Sequence, residues 1–74
     1  MWQTDNNKLT KIFTFADFAS ALNFVNKIGQ LAESANHHPD IELSYGKVVV
    51  HLSTHETGGV SDKDEKLAKE IDKI

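Results

Sequence analysis

Residues 41–52 read IELSYGKVVVHL, two alternating runs that meet at Tyr45-Gly46. If that dipeptide forms a two-residue turn, Leu43 faces Val48, and the next apolar pair follows two positions further out. The polar side chains then share the opposite face. A slip of one residue would mix the two faces, so the pattern predicts an antiparallel hairpin in this register.

Upstream of the hairpin, the spacing of the hydrophobic residues changes at residue 16 from a strand pattern to a helical one. Turn formers at 5–8 precede a β-branched and aromatic run, which predicts a short strand, a turn and a longer strand within 2–15. From Ala16 to about Asn36, apolar residues recur at helical spacing. Their arc covers about half the circumference, wider than the roughly 100° of one contact surface. We therefore expect the helix to pack on its own sheet and on a partner subunit.

Downstream of the hairpin, the sequence predicts a bend at Gly58-Gly59 and then a final helix. Ser61 is the expected N-cap, with Asp62 and Asp64 in the first turn, where acidic side chains suit the helix dipole. The buried stripe of this helix is predicted to contain Leu67, Ala68, Ile71 and Ile74. The whole chain reads as an α+β domain, an antiparallel sheet with two helices packed on it.

Composition sets limits on what the protein does. With 74 residues, the chain has room for a single domain, 1–74, and it contains no cysteine for disulfides or thiolate metal sites. Its formal net charge is −3 and its basic residues are scattered, which argues against a nucleic-acid partner. No apolar run is long enough for a membrane span, so we expect a soluble, cytoplasmic protein.

The hairpin register also predicts a cluster of histidines. Continued outward, it pairs Asp40 with His51 and places His37 opposite Thr54. His55 is the next residue, so it should lie beside the adjacent pair His37 and His38. Glu33 lies one helical turn before His37 and should point toward the same region.

Three interpretations of this cluster are open. The imidazoles are an acid and a base, because histidine titrates near neutral pH, with Glu33 orienting one ring. Alternatively, they form a three-histidine zinc site, although adjacent histidines on an extended segment point to opposite sides. Finally, they are ordinary surface histidines, which is our expectation for His51. Convergence of three histidines beside a carboxylate favours the first interpretation.

One spacing in the chain resembles the signature of the pterin-4a-carbinolamine dehydratases. Glu33 is followed after three residues by His37-His38-Pro39, and then, after gaps of five, nine and eight residues, come Tyr45, His55 and Asp64. Trp2 and the apolar positions of 9–18 also match that family, so the resemblance covers nearly the whole chain.

The resemblance implies a four-stranded antiparallel sheet with two helices on one face, in the order β-β-α-β-β-α. It also implies dehydration of 4a-hydroxytetrahydrobiopterin to the quinonoid dihydropterin, in tetrahydrobiopterin recycling, with no cofactor and no metal. It places His37, His38 and His55 at the reaction centre, supported by Glu33. Tyr45, at the hairpin turn, and Asp64, at the third position of a capping box, are candidates for supporting or substrate-binding roles.

The resemblance further implies a homodimer or a higher homo-oligomer. Two alternatives stay open at this stage: a non-catalytic dimerisation or binding module of the same fold, and a dehydratase that acts on another pterin. Members of the family usually carry some twenty or more residues, including a helix, before the tryptophan matched by Trp2. In a naturally short version, packing over the sheet and subunit contacts would be free to differ, while the catalytic segment would be unaffected.

Overall fold

The computed structural model describes residues 1–54 and 58–74. Within them, the chain forms an antiparallel sheet of four strands and two helices. In chain order, the elements are β1 (Gln3–Asp5), β2 (Lys8–Thr14), α1 (Phe18–Ala35), β3 (Asp40–Ser44), β4 (Lys47–Leu52) and α2 (Asp62–Ile71). The predicted α+β class and element order are confirmed.

The sheet has the strand order β1-β2-β4-β3, so the two hairpins are joined through their longer strands. The β3–β4 hairpin has the predicted register, with Leu43 opposite Val48 and Asp40 opposite His51. At its turn, Gly46 has φ +70°, and an added Cβ would lie 2.9 Å from the carbonyl oxygen of Phe15. Only glycine fits this backbone position without strain.

The hydrophobic core lies between one face of the sheet and the two helices. Phe24 of α1 stacks against Phe13 and Phe15, with ring centroids 4.7 and 5.1 Å apart. The buried apolar residues of the cluster are Ala21, Phe24, Ile28, Val48, Val50, Leu52, Leu67, Ala68 and Ile71. Three of the four residues predicted for the α2 stripe are therefore confirmed. Ile74 is 43% exposed, because α2 ends at Ile71, and that prediction was wrong.

Helix α1 uses only part of its apolar arc for this core. Its buried residues are Ala21, Phe24, Ile28 and Ala32, whereas Phe18 and Leu22 are 43% and 41% exposed. The N-cap of the helix is Asp17, whose side chain accepts a hydrogen bond from the Ser20 backbone N–H at 2.7 Å. That bond, aided by the Ser20 side chain, lowers the pKa of Asp17. Neither helix, in the part of the chain described, is long and apolar enough to cross a membrane.

Candidate functional site

The end of α1 aims the histidine pair away from the helix. Asn36 adopts the left-handed conformation, with φ 50°. The backbone N–H of His37 donates to the carbonyl of Ala32, and that of Asn36 donates to the carbonyl of Glu33. These two bonds form the Schellman motif that closes many helices. Pro39 then disfavours helical backbone at His38, so the chain continues extended into β3.

The ring of His37 is held by a carboxylate from the other helix. Its Nε2 lies 2.5 Å from Oδ1 of Asp64, and the side-chain exposures are 14% and 0%. Asp64 also accepts hydrogen bonds from the Thr54 hydroxyl at 2.7 Å and from the Ser61 backbone N–H at 2.9 Å. The Ser61 contact belongs to a capping box at the start of α2, which confirms the predicted helix cap.

Opposing effects act on the Asp64 carboxyl group. Burial alone would raise its pKa, but hydrogen bonds from His37, Ser61 and Thr54 together outweigh burial and hold the pKa below its ordinary value. The group is therefore a carboxylate at neutral pH, and a carboxylate only accepts hydrogen bonds. Consequently Nε2 of His37 carries a proton, which leaves Nδ1 as the nitrogen that can exchange one.

A second carboxylate holds the other histidine, but at the surface. Nε2 of His38 lies 2.5 Å from Oε2 of Glu33, and the two side chains are 56% and 78% exposed. Glu33 therefore points to the histidine segment, as its position in the sequence predicted. Because water screens this pair, it holds the ring less firmly than Asp64 holds His37.

His37 and His38 open onto a shared polar cavity of about 340 Å³. The cavity is lined by Asn36, His37, His38, Asp40, His51, Ser53 and Thr54. The β3–β4 ladder ends at Asp40–His51, so the pairing predicted beyond Asp40 was wrong. Residues from both strand ends nevertheless line this cavity, so the part of the expected neighbourhood that the structure describes lies together. Its size is typical of small-molecule sites.

The predicted site residue His55 lies outside the described residues, and its placement stays a prediction. It follows Thr54, which lines the polar cavity. Tyr45 is 75% exposed at the hairpin turn, five residues along β3 from Asp40. That separation is roughly 17 Å at the rise of a strand. The structure therefore does not bring Tyr45 together with the histidines of the same chain.

His51 lines the cavity although the sequence suggested an ordinary surface histidine. Its Nδ1 lies 2.9 Å from the Thr10 hydroxyl, and its Nε2 lies 2.7 Å from Oε2 of Glu42. Both ring nitrogens are thus engaged by neighbouring strands. The register predicted its position at the strand end, but its partner Thr10 depends on the pairing of β2 with β4.

A metal centre is a separate possibility that the histidines raised. Across 1–54 and 58–74, no group of three or more His, Cys, Asp or Glu side chains is arranged to hold a metal ion. Nε2 of both His37 and His38 faces a carboxylate oxygen at hydrogen-bonding distance. That arrangement suits proton transfer at the opposite nitrogen.

Fold and site together define a small α+β protein with a polar cavity bordered by carboxylate-held histidines. The chain belongs to the pterin 4 alpha carbinolamine dehydratase family, whose model matches residues 1–74.

Relatives of the chain agree with this assignment. A protein of Sulfurisphaera tokodaii, provisionally named a pterin-4-alpha-carbinolamine dehydratase, is 48% identical over 99% of this chain and 78% of its own length. A Trichodesmium erythraeum protein with the same provisional name is 50% identical over 95% of this chain and 75% of its own length.

Two solved structures share the fold. A transcriptional coactivator/pterin dehydratase from Brucella melitensis superposes with a TM-score of 0.91 and 34% identity, over 96% of this chain and 78% of its own. A pterin dehydratase-like protein described as a RuBisCO assembly factor of the alpha-carboxysome has a TM-score of 0.78. Its identity is 22%, over 97% of this chain and 83% of its own, so it supports the fold alone.

Proposed function

We propose that this protein dehydrates pterin 4a-carbinolamines by histidine acid–base catalysis. The observation that carries the proposal is the pair of adjacent histidines, each held at Nε2 by a carboxylate, on a shared polar cavity. Membership of the dehydratase family supports the same chemistry.

The reaction needs one proton delivered and one removed. The bond between C4a and the hydroxyl oxygen breaks as that oxygen receives a proton and leaves as water. The neighbouring ring nitrogen loses its proton, and the electron pair of its N–H bond forms the new C=N bond. Protons and electrons balance within the substrate and two imidazoles, one acting as acid and the other as base. Each such group contributes on the order of 10²–10⁴-fold in rate.

We assign the acid and base roles to His37, His38 and His55 jointly. Nδ1 is the nitrogen that His37 and His38 have available for proton transfer, since a carboxylate faces Nε2 of each ring. Asp64 and Glu33 then act as positioning residues that fix ring orientation and tautomer. For Tyr45, a supporting role in the site also stays a proposal.

The physiological substrate we propose is 4a-hydroxytetrahydrobiopterin, converted to quinonoid dihydropterin in tetrahydrobiopterin recycling. The first alternative is a dehydratase for another pterin, which uses the same groups. A homodimer agrees with the exposed stripe of α1 around Phe18 and Leu22, because a second copy would cover it. The cytoplasmic location stays a prediction.

The decisive experiment measures water loss from a chemically prepared 4a-carbinolamine by its change in ultraviolet absorbance. The wild-type protein should accelerate the reaction well above the rate in buffer, and His38→Ala should lose most of that acceleration. Equal rates for wild type, variant and buffer would contradict catalysis. That result would instead favour the second alternative, a non-catalytic binding module.

A further inference from the structure

A second cavity lies next to the polar one, between the two helices. Its volume is about 420 Å³, and it is lined by Leu31, Ser34, Ala35, His37, Lys63, Lys66, Leu67 and Glu70. His37 lines this cleft and the polar cavity alike. A ligand in the polar cavity therefore has the interhelical cleft as its immediate neighbour.

The cleft combines an apolar wall with positive charge. Leu31, Ala35 and Leu67 supply the apolar surface. Lys63 and Lys66 stand three positions apart, on the face of α2 that borders the cleft. Neither lysine forms an ion pair with any residue that the structure describes.

The acidic residue of the cleft does not cancel this charge. Glu70 also lines it, but its carboxylate lies 3.7 Å from Nζ of Lys73, outside the cleft. Asp64 beneath the histidine is engaged by the ring of His37. Among the residues that the structure describes, the uncompensated charge at the cleft is therefore positive, and it complements an anionic group.

We propose that the interhelical cleft binds the ring substituent of the pterin substrate, and that this substituent has an apolar stem ending in a carboxylate or another anion. This inference rests on the proposed dehydration of a pterin carbinolamine, because it places the pterin ring in the polar cavity beside His37. It favours the alternative of another pterin over 4a-hydroxytetrahydrobiopterin, whose ring substituent is short and neutral. The stem packs on Leu67 and Ala35, and the anion pairs with Lys63 and Lys66. A short neutral substituent leaves the cleft empty and makes none of these contacts.

The test compares two oxidised pterins by titration of ¹⁵N-labelled protein, followed by NMR. Folic acid carries an aromatic stem with carboxylates, and biopterin carries a short neutral polyol. Folic acid should bind about tenfold more tightly, the value expected for two partly exposed charge pairs. It should shift the amides of Ser34, Lys66 and Leu67 together with that of His37, whereas biopterin should shift His37 without the cleft amides.

Variants distinguish the charge of the cleft from its shape as the cause of the tighter binding of folic acid. Lys63→Gln with Lys66→Gln should remove the advantage of folic acid and leave biopterin binding unchanged. The control is Lys69→Gln, on the exposed side of α2, which removes one positive charge outside the cleft. This variant should still bind folic acid more tightly than biopterin. Ala35→Leu should narrow the cleft and abolish the advantage without any change of charge.

Equal affinity for the two pterins, or unmoved cleft amides with folic acid bound, would overturn the inference and leave the dehydration assay untouched. Binding of neither pterin would overturn it as well. The proposed function is decided separately, by the rate of water loss from a carbinolamine with a short neutral substituent. The ratio of the affinities for folic acid and biopterin should also fall as ionic strength rises. A ratio that does not depend on salt would contradict the role of the lysines.

Discussion

Replacing Asp64 by asparagine keeps the shape of the side chain and removes its charge. In the native protein, this fully buried carboxylate accepts hydrogen bonds from His37, Thr54 and Ser61. An amide offers one accepting oxygen, and its NH₂ group would face one of these donors. The substitution therefore disturbs the capping box of α2 and the ring of His37 at once.

The size of the effect follows from the hydrogen bonds that the substitution removes. A hydrogen bond to a charged group contributes about 1.5–3 kcal/mol, and loss of a helix cap costs about 0.5–2 kcal/mol. These contributions overlap at Ser61, so we expect Asp64→Asn to lower the free energy of unfolding by about 2–4 kcal/mol. For a domain of this size, Tm should fall by roughly 10–25 °C.

Urea unfolding followed by circular dichroism measures this difference, and its pH dependence gives a second check. The pKa of Asp64 is lower in the folded protein than its ordinary value of 3.8. Its stabilising contribution is therefore complete above that value and is lost as the pH falls through the folded pKa. Asparagine does not titrate, so the difference in unfolding free energy between wild type and Asp64→Asn should hold from about pH 7 to about pH 4 and shrink on acidification below 3.8.

The control is Asp62→Asn, an exposed first-turn residue of the same helix, which should cost at most about 1 kcal/mol through the helix dipole. A cost for Asp64→Asn below about 0.5 kcal/mol at neutral pH would refute the reasoning, since that is the range of ordinary surface substitutions. If the difference in unfolding free energy between wild type and Asp64→Asn stays constant on acidification below 3.8, the role of the charge is refuted.

Three further outcomes are expected. Gly46→Ala should lower the free energy of unfolding in urea by about 1–3 kcal/mol, because Gly46 has a positive φ and an added Cβ would contact the Phe15 carbonyl. Gly29 lies in open space on α1, so Gly29→Ala should raise that free energy by about 0.5–1 kcal/mol. Effects of the opposite sign would contradict the turn geometry. Glu33→Gln should lower kcat about two- to fivefold with stability unchanged, as measured by dehydration rate and Tm, because its pair with His38 is exposed. Dialysis against a chelator should leave the dehydration rate unchanged, and a loss restored by zinc would revive the metal interpretation.

Much of the fold followed from local rules. The β3–β4 register was predictable because side chains alternate with a period of two and one slip would have buried Glu42. The exit of the histidine segment from α1 followed from Pro39. The end of α1 at Ala35 and the cap at Ser61 agree with the sequence prediction to within a residue or two.

The site was only partly predictable, because its geometry depends on how elements dock. The spacing Glu33–His38 is local to the end of α1, and the sequence pointed to it. The contact between His37 and Asp64 joins residues 27 positions apart, and it forms only when α2 packs against the end of α1. Local periodicity carries no information on that packing, so Asp64 was a candidate from the family signature and from its place in a capping box.

The most direct test of the account is kcat/KM for water loss from the 4a-carbinolamine, measured for the wild type, His37→Gln and Lys69→Gln. Retained folding of each variant is checked by its NMR spectrum. The account predicts a loss of about 10²–10⁴-fold for His37→Gln and wild-type activity for Lys69→Gln. Equal kcat/KM for wild type and His37→Gln would contradict the claim that this carboxylate-held histidine exchanges a proton with the substrate.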